Sequence, residues 1–178
     1  KDKEFKLSLG LMEDSFLLIS VSRLVFDKGY LEMINIFEKL LMNTDVNYYW
    51  LIVGDGKDRV NIETIVQEKS LTDRILFVGE LPRVELPRFY SNCNLFWLLS
   101  NFEESLGLVY IEAQACGCPA LGRNFSGVKE AILHRKTGFL IESDEEVISL
   151  LASSESMKFN TKNLISFVKK FHCQNLIE

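Results

Sequence analysis

The sequence is poor in proline, with three in 178 residues, and no stretch of it reads as a proline-rich linker. Charge of one sign is not in excess: 20 basic residues stand against 25 acidic ones, for a net charge of −5. No basic face stands out, which argues against a nucleic-acid partner, because neutralising a phosphate backbone takes clustered Lys and Arg. A small anion is not excluded, since a few placed cations and backbone amides suffice for one phosphate. Long hydrophobic runs are missing too. Uncharged runs such as residues 15–22 and 93–102 fall well short of the ~20 apolar residues a membrane span needs. The opening Lys1-Asp2-Lys3-Glu4 has no hydrophobic stretch like that of a signal peptide, so a cytoplasmic location is expected. The four cysteines (Cys93, Cys116, Cys118, Cys173) are too few to frame a chain this long with disulfides. Cys116-Gly117-Cys118 is tighter than the C-x2-C zinc arrangement, and no second cysteine pair or paired histidines accompany it. Reduced, buried thiols and no metal site are expected.

What the sequence does contain is an ordinary globular balance, 47% hydrophobic and 25% charged, in a length suited to one domain with a well-filled core. Short apolar runs alternate with longer amphipathic stretches. Phe16-Leu17-Leu18-Ile19-Ser20-Val21 and Tyr48-Tyr49-Trp50-Leu51-Ile52-Val53 are continuous apolar runs, the pattern of strands buried on both faces. Between them, Leu31, Ile34, Phe37, Leu40 and Leu41 recur at spacings of three and four, which predicts a helix over residues 28–42. The same reading gives strands at 74–78, 95–99, 119–121 and 138–141, and helices at 60–69, 85–90, 107–116, 145–153 and 160–171. Strands alternating with helices imply right-handed crossovers and a mostly parallel, Rossmann-like α/β sheet with helices on both faces. Ligands in such sheets sit beyond the carboxyl ends of the strands. The segments to watch are therefore 22–29, 54–57, 79–83, 100–109 and 123–127.

Two nucleotide signatures are absent. Gly54-Asp55-Gly56 begins like G-x-G-x-x-G but no third glycine follows at the required place, and no G-x-x-x-x-G-K-[ST] loop occurs. The stretch from Ser100 to Pro119 is more specific. Glu104 and Glu112 have seven residues between them, with a glycine-containing turn and a helix start, and Ala115, Gly117 and Pro119 follow in an A-x-G-x-P pattern. Upstream lie Ser20-Val21-Ser22-Arg23-Leu24 with Lys28-Gly29, then Leu51-Ile52-Val53-Gly54-Asp55-Gly56 and Phe77-Val78-Gly79. Gly127-Val128-Lys129-Glu130 and Thr137-Gly138-Phe139-Leu140 come after. In this order the segments resemble the "glycosyl transferases group 1" family of retaining GT-B glycosyltransferases, over residues 6–141. What they resemble is its C-terminal, donor-binding domain, one half of a GT-B fold.

The resemblance implies a single nucleotide-sugar-binding domain over residues 1–178 and a nucleotide-diphosphate-sugar donor, UDP- or GDP-linked. It assigns Arg23 and Lys28 to the donor phosphates and leaving diphosphate, Glu104 to hydroxyls of the donor sugar, and Glu112 to the ribose hydroxyls. Ser105, Leu106, Gly107, Leu108 and Val109 form the turn that holds the distal phosphate, and Gly56 and Leu81 sit where loops approach the base. The residue types fit these roles. Cations at the sheet's ligand edge suit a diphosphate, and a glycine at a helix start lets a phosphate oxygen reach free N–H groups. Glu112 lies eight positions after Glu104, at most about 12 Å along a helix. That is a span for gripping two ends of one ligand, not the roughly 5–5.5 Å of a retaining glycosidase pair. Arg123 lies near the same edge, and His134 and His172 have no triad partner placed by sequence.

Three departures from the family pattern stand out: Ser22 in place of a glycine, Leu99 where a proline is usual, and Ser105-Leu106 in place of Gly-Phe. None removes a charge. The resemblance further implies a separate N-terminal acceptor-binding domain as partner, so this half alone is expected to bind donor but not to transfer sugar. No Asp-x-Asp motif occurs, and neither a cofactor nor a metal is expected. The resemblance also admits peripheral association of the full enzyme with the cytoplasmic face of a membrane. Two alternatives stay open at this point. One is a GT-B-related nucleotide-sugar epimerase or phosphorylase-like enzyme, the latter requiring a pyridoxal-phosphate lysine motif; the other is a non-enzymatic α/β interaction module.

Overall fold

The computed structural model describes residues 2–101, 107–125, 127–153 and 159–171. Six parallel strands, β1 (Phe16–Val21), β2 (Tyr48–Val53), β3 (Ile75–Gly79), β4 (Leu95–Leu98), β5 (Ala120–Arg123) and β6 (Gly138–Ile141), form one sheet in the order β3-β2-β1-β4-β5-β6. Helices α1 (Lys3–Ser8), α2 (Tyr30–Met42), α3 (Arg59–Glu68), α4 (Leu86–Asn92), α5 (Leu108–Ala115), α6 (Val128–Ala131), α7 (Asp144–Ala152) and α8 (Thr161–Val168) complete the described elements. This is the doubly wound, Rossmann-like arrangement expected from the strand–helix alternation. The direction in which successive strands are added reverses between β1 and β4, the switch point where such sheets open a crevice.

Strands β1 and β2 pair in register from Phe16↔Tyr48 to Val21↔Val53. Their continuous apolar character follows from cover on both faces. On one face Trp50 and Trp97 meet edge to face with ring centres 4.7 Å apart, Phe37 of α2 packs on both, and Tyr30 stacks on Trp50. On the other, Phe96 meets Tyr110 of α5 at 5.1 Å and Tyr90 of α4 at 6.0 Å. Aromatic pairs of this kind add to plain area burial. Ser20, fully buried in β1, is satisfied at both ends: it donates to the Trp97 carbonyl and accepts the Trp50 indole N–H. The Tyr48 hydroxyl donates to the Leu151 carbonyl, tying β2 to α7.

The expected helix over residues 28–42 begins two residues later, at Tyr30. Lys28 closes a 3-10 turn (Phe26–Lys28), and Gly29, left-handed at φ 80°, sets the corner. A side chain at Gly29 would place its Cβ 2.0 Å from the Leu99 carbonyl oxygen, so only glycine fits between this corner and the end of β4. β5 runs on to Arg123, and its Gly122 passes against the Tyr110 ring and Val128, where a Cβ would lie 2.8 and 2.7 Å away. Cys93 and Cys118 are buried, the Cys118 thiol pointing to the Cys93 carbonyl, and Cys116 is half-buried. Among the described residues, no helix is long and apolar enough to cross a membrane.

Candidate functional site

The loops leaving the carboxyl ends of β1 and β4 enclose a cleft of about 310 Å³ lined by Ser22, Arg23, Lys28, Leu98, Gly107, Leu108 and Val109. Of the residues singled out in the sequence, Arg23, Lys28, Gly107, Leu108 and Val109 thus come together, 80 residues apart in the chain. Arg23 and Lys28 stand on opposite limbs of the β1–α2 loop. The main chain of that loop is pinned on several sides: Ser22 N–H to the Val53 carbonyl, Leu24 N–H to Asp55, and Asp58 N–H back to Leu24. Across the cleft, Gly107 is left-handed at φ 60° and precedes the first turn of α5. The first residues of that helix, at the positive end of its dipole, line the same space as the two cations. Any side chain on Gly107 would press its Cβ to 2.7 Å from the Tyr110 ring, so the turn is built for glycine. Glu104, Ser105 and Leu106 lie outside the described residues.

Glu112 projects from the next turn of α5 and does not line this cleft. Its side chain is 15% exposed, and Arg83 from the β3–α4 loop approaches it at 3.5 Å. Burial pushes the Glu112 carboxyl above its ordinary value, with Arg83 and then Tyr90 pulling it back down. The Tyr90 hydroxyl sits close enough to Glu112 to favour the carboxylate, yet makes no hydrogen bond of regular geometry. Glu112 is therefore an acidic group held partly dehydrated with the exposed Arg83 beside it, a setting that suits it to accept hydroxyl donors from a ligand. Cys116, one turn further along α5, is pushed up to about 11 by burial and by Glu112 and stays a neutral thiol.

Gly56 also stands apart from the cleft. It packs on the first loop, where a Cβ would be 2.4 Å from the Leu24 carbonyl oxygen. Asp55 beside it accepts the Gly56 N–H and the Arg59 guanidinium, and both hold its carboxyl below the usual range. Leu81 packs its side chain toward the core, leaving its backbone at the β3–α4 loop. Arg123 is committed to Asp144 at the start of α7, 2.9 Å away. His134 accepts the Leu140 N–H through Nδ1 and serves the β6 turn. Sequence reasoning missed Arg83, although it lay in a segment marked as ligand-facing. Leu98 was missed because a strand-end leucine carries no signal of a site.

The sequence model of the family described as "Glycosyl transferases group 1" matches residues 1–169. The chain belongs to this glycosyltransferase family. Within the family, it is 34% identical over 139 residues to an N-acetyl-alpha-D-glucosaminyl L-malate synthase of Bacillus anthracis, covering 78% of this chain and 35% of that protein. A sucrose-phosphate synthase structure from Thermosynechococcus elongatus superposes with a TM-score of 0.80 at 26% identity, over 93% of this chain and 43% of that one. The Anabaena HepE structure in complex with UDP-glucose superposes with a TM-score of 0.80 at 22% identity, over 94% of this chain and 47% of that one. The glycosyltransferase half-fold is thereby established, and the chain spans between a third and a half of these relatives' lengths.

Proposed function

We propose that this chain is the donor half of a retaining glycosyltransferase. It holds a nucleotide-diphosphate sugar, UDP- or GDP-linked, for transfer of a hexosyl group to a glycan, lipid or polysaccharide. The observation that carries the reading is the convergence of Arg23, Lys28 and the N-terminus of α5 on one cleft at the switch point of the sheet. The HepE complex with UDP-glucose supports the ligand class. Glycosyl transfer expels a nucleoside diphosphate, and negative charge grows on it as the anomeric bond breaks. Two fixed cations and a helix N-terminus stabilise that charge most where it develops, which lowers the barrier. With this positive charge in place the reaction needs no metal ion. Glu112 grips ribose hydroxyls and Glu104 the sugar. Positioning an acceptor oxygen against the anomeric carbon, with water excluded, falls to a second, acceptor-binding domain, so the chain by itself binds donor without transferring sugar. The enzyme works in the cytoplasm or at the cytoplasmic face of a membrane.

The test is calorimetric titration of the chain with UDP, GDP and ADP, repeated for Arg23→Ala/Lys28→Ala and for Glu112→Ala, with and without a chelator. One nucleotide should bind preferentially, unaffected by the chelator, and each variant should lose about 1–3 kcal/mol of binding energy. A folded chain that binds none of the three at millimolar concentration overturns the reading.

A further inference from the structure

The two cations of the cleft are carried on one loop, and the base of that loop is closed by a pair of hydroxyls. Ser22 Oγ lies 2.8 Å from the Tyr30 hydroxyl and donates to the Arg23 carbonyl at 3.1 Å. A serine has one proton to give. With that proton on the Arg23 carbonyl, Tyr30 is the donor to Ser22, and the chain of bonds runs Tyr30 to Ser22 to Arg23. The Arg23 carbonyl also accepts the Val25 N–H at 3.0 Å, so two donors fix the peptide plane that follows Arg23. Tyr30 is the first residue of α2, two positions after Lys28, and is itself immobile: fully buried and stacked on Trp50. Burial pushes its phenol up to about 12, so the hydroxyl stays protonated throughout the working range of pH. Ser22 is also a wall of the cleft, at the position where the family pattern has glycine.

We infer that the Ser22–Tyr30 hydroxyl pair is a positioning device of this chain, a clasp that sets the separation and direction of Arg23 and Lys28 toward a nucleoside diphosphate. A glycine at position 22 could not make this bond, so the chain has exchanged open space in the first loop for a rigid cation pair. Neither residue touches the reacting atoms. Both act through the loop they close.

The inference rests on the donor-binding reading and predicts a loss confined to phosphate recognition. The measurement is titration of the unaltered chain, Tyr30→Phe, Ser22→Ala and Ser22→Thr with the nucleoside diphosphate that binds best among UDP, GDP and ADP, and with its monophosphate. Melting temperatures recorded alongside confirm folding. Tyr30→Phe and Ser22→Ala should each weaken the diphosphate about fivefold, the order of one hydrogen bond. The monophosphate should be unchanged, and Ser22→Thr, which keeps the hydroxyl, should restore diphosphate affinity. Unchanged diphosphate binding in folded Tyr30→Phe and Ser22→Ala would overturn the clasp while leaving donor binding standing. Equal loss of both nucleotides would show a general structural role and overturn it as well. No nucleotide binding by the unaltered chain would remove the donor-binding reading, and the clasp with it.

Discussion

Arg83 and Glu112 form a lopsided ion pair: Nη2 and Oε1 are 3.5 Å apart, the arginine side chain is 81% exposed and the glutamate 15%. Solvent screens the partner, so the attraction offsets little of what it costs to bury the carboxylate. The net direction for Glu112 is accordingly upward from 4.5, with burial the largest cause. Between 4.5 and that raised value the folded state binds more protons than the unfolded one. Stability therefore falls as pH rises through that window. A group that weakens the fold yet sits at the ligand edge is better explained by a ligand than by packing.

Glu112→Gln should therefore raise the melting temperature at pH 7 and weaken nucleotide binding. The stability gain should shrink as pH falls toward 4.5, because the native carboxyl takes up its proton above that value. Arg83→Ala, removing an exposed partner, should shift the melting temperature little. Thermal melts across pH 4–8 with parallel calorimetry check both. A lower melting temperature for Glu112→Gln at neutral pH would mean the carboxylate is structural.

Two glycines with left-handed backbones separate conformational strain from steric fit. Gly10, at φ 72°, has nothing within 4 Å of a would-be Cβ, whereas Gly29, at φ 80°, would place one 2.0 Å from the Leu99 carbonyl. Gly10→Ala should cost about 1 kcal/mol, the backbone penalty alone. Gly29→Ala must also push the β1–α2 loop away from β4, displacing Lys28 and Tyr30. Urea unfolding should show a markedly larger loss for Gly29→Ala, accompanied by weaker diphosphate binding. Equal losses would mean that the loop can shift freely.

Most of the sheet was legible because its strands are buried on both faces and read as unbroken apolar runs; β1, β2 and β6 have the bounds expected from sequence. Short or polar elements were not. The six residues of α1 carry no helical stripe long enough to see, and the four of α6 form barely one turn. Helix starts moved wherever a left-handed glycine intervened, as at Gly29. In the site, Arg23, Lys28 and the Gly107 turn were legible as cations and a glycine at strand ends. The Arg83–Glu112 pair was not, because it joins the β3–α4 loop to a helix 29 positions away and no local spacing encodes that distance. The Tyr30 hydroxyl was invisible for another reason: an aromatic on an apolar helix face reads as core, which it also is.

Lys6 is the test of how α1 is held. It is 8% exposed, an unusual burial for a lysine, and its Nζ donates to the Glu13 carbonyl and, at 2.8 Å, to the Ser15 carbonyl. A buried ammonium is tolerated where its protons find acceptors, and two main-chain oxygens from the turn before β1 take two of the three here. The charge thus staples α1 to the entry of the central strand. Lys6→Met keeps the length and the methylene packing but leaves both carbonyls short of a donor, which should cost about 1–3 kcal/mol. Lys3, three positions earlier, makes an ion pair with Glu13 that is mostly in solvent, with side chains 70% and 64% exposed. Lys3→Ala should change stability by no more than about 0.5 kcal/mol. Urea midpoints of the two variants decide the matter: a large shift for Lys6→Met alone fixes the staple, and equal small shifts would mean that α1 rests on the Phe5 contact with Phe89 instead.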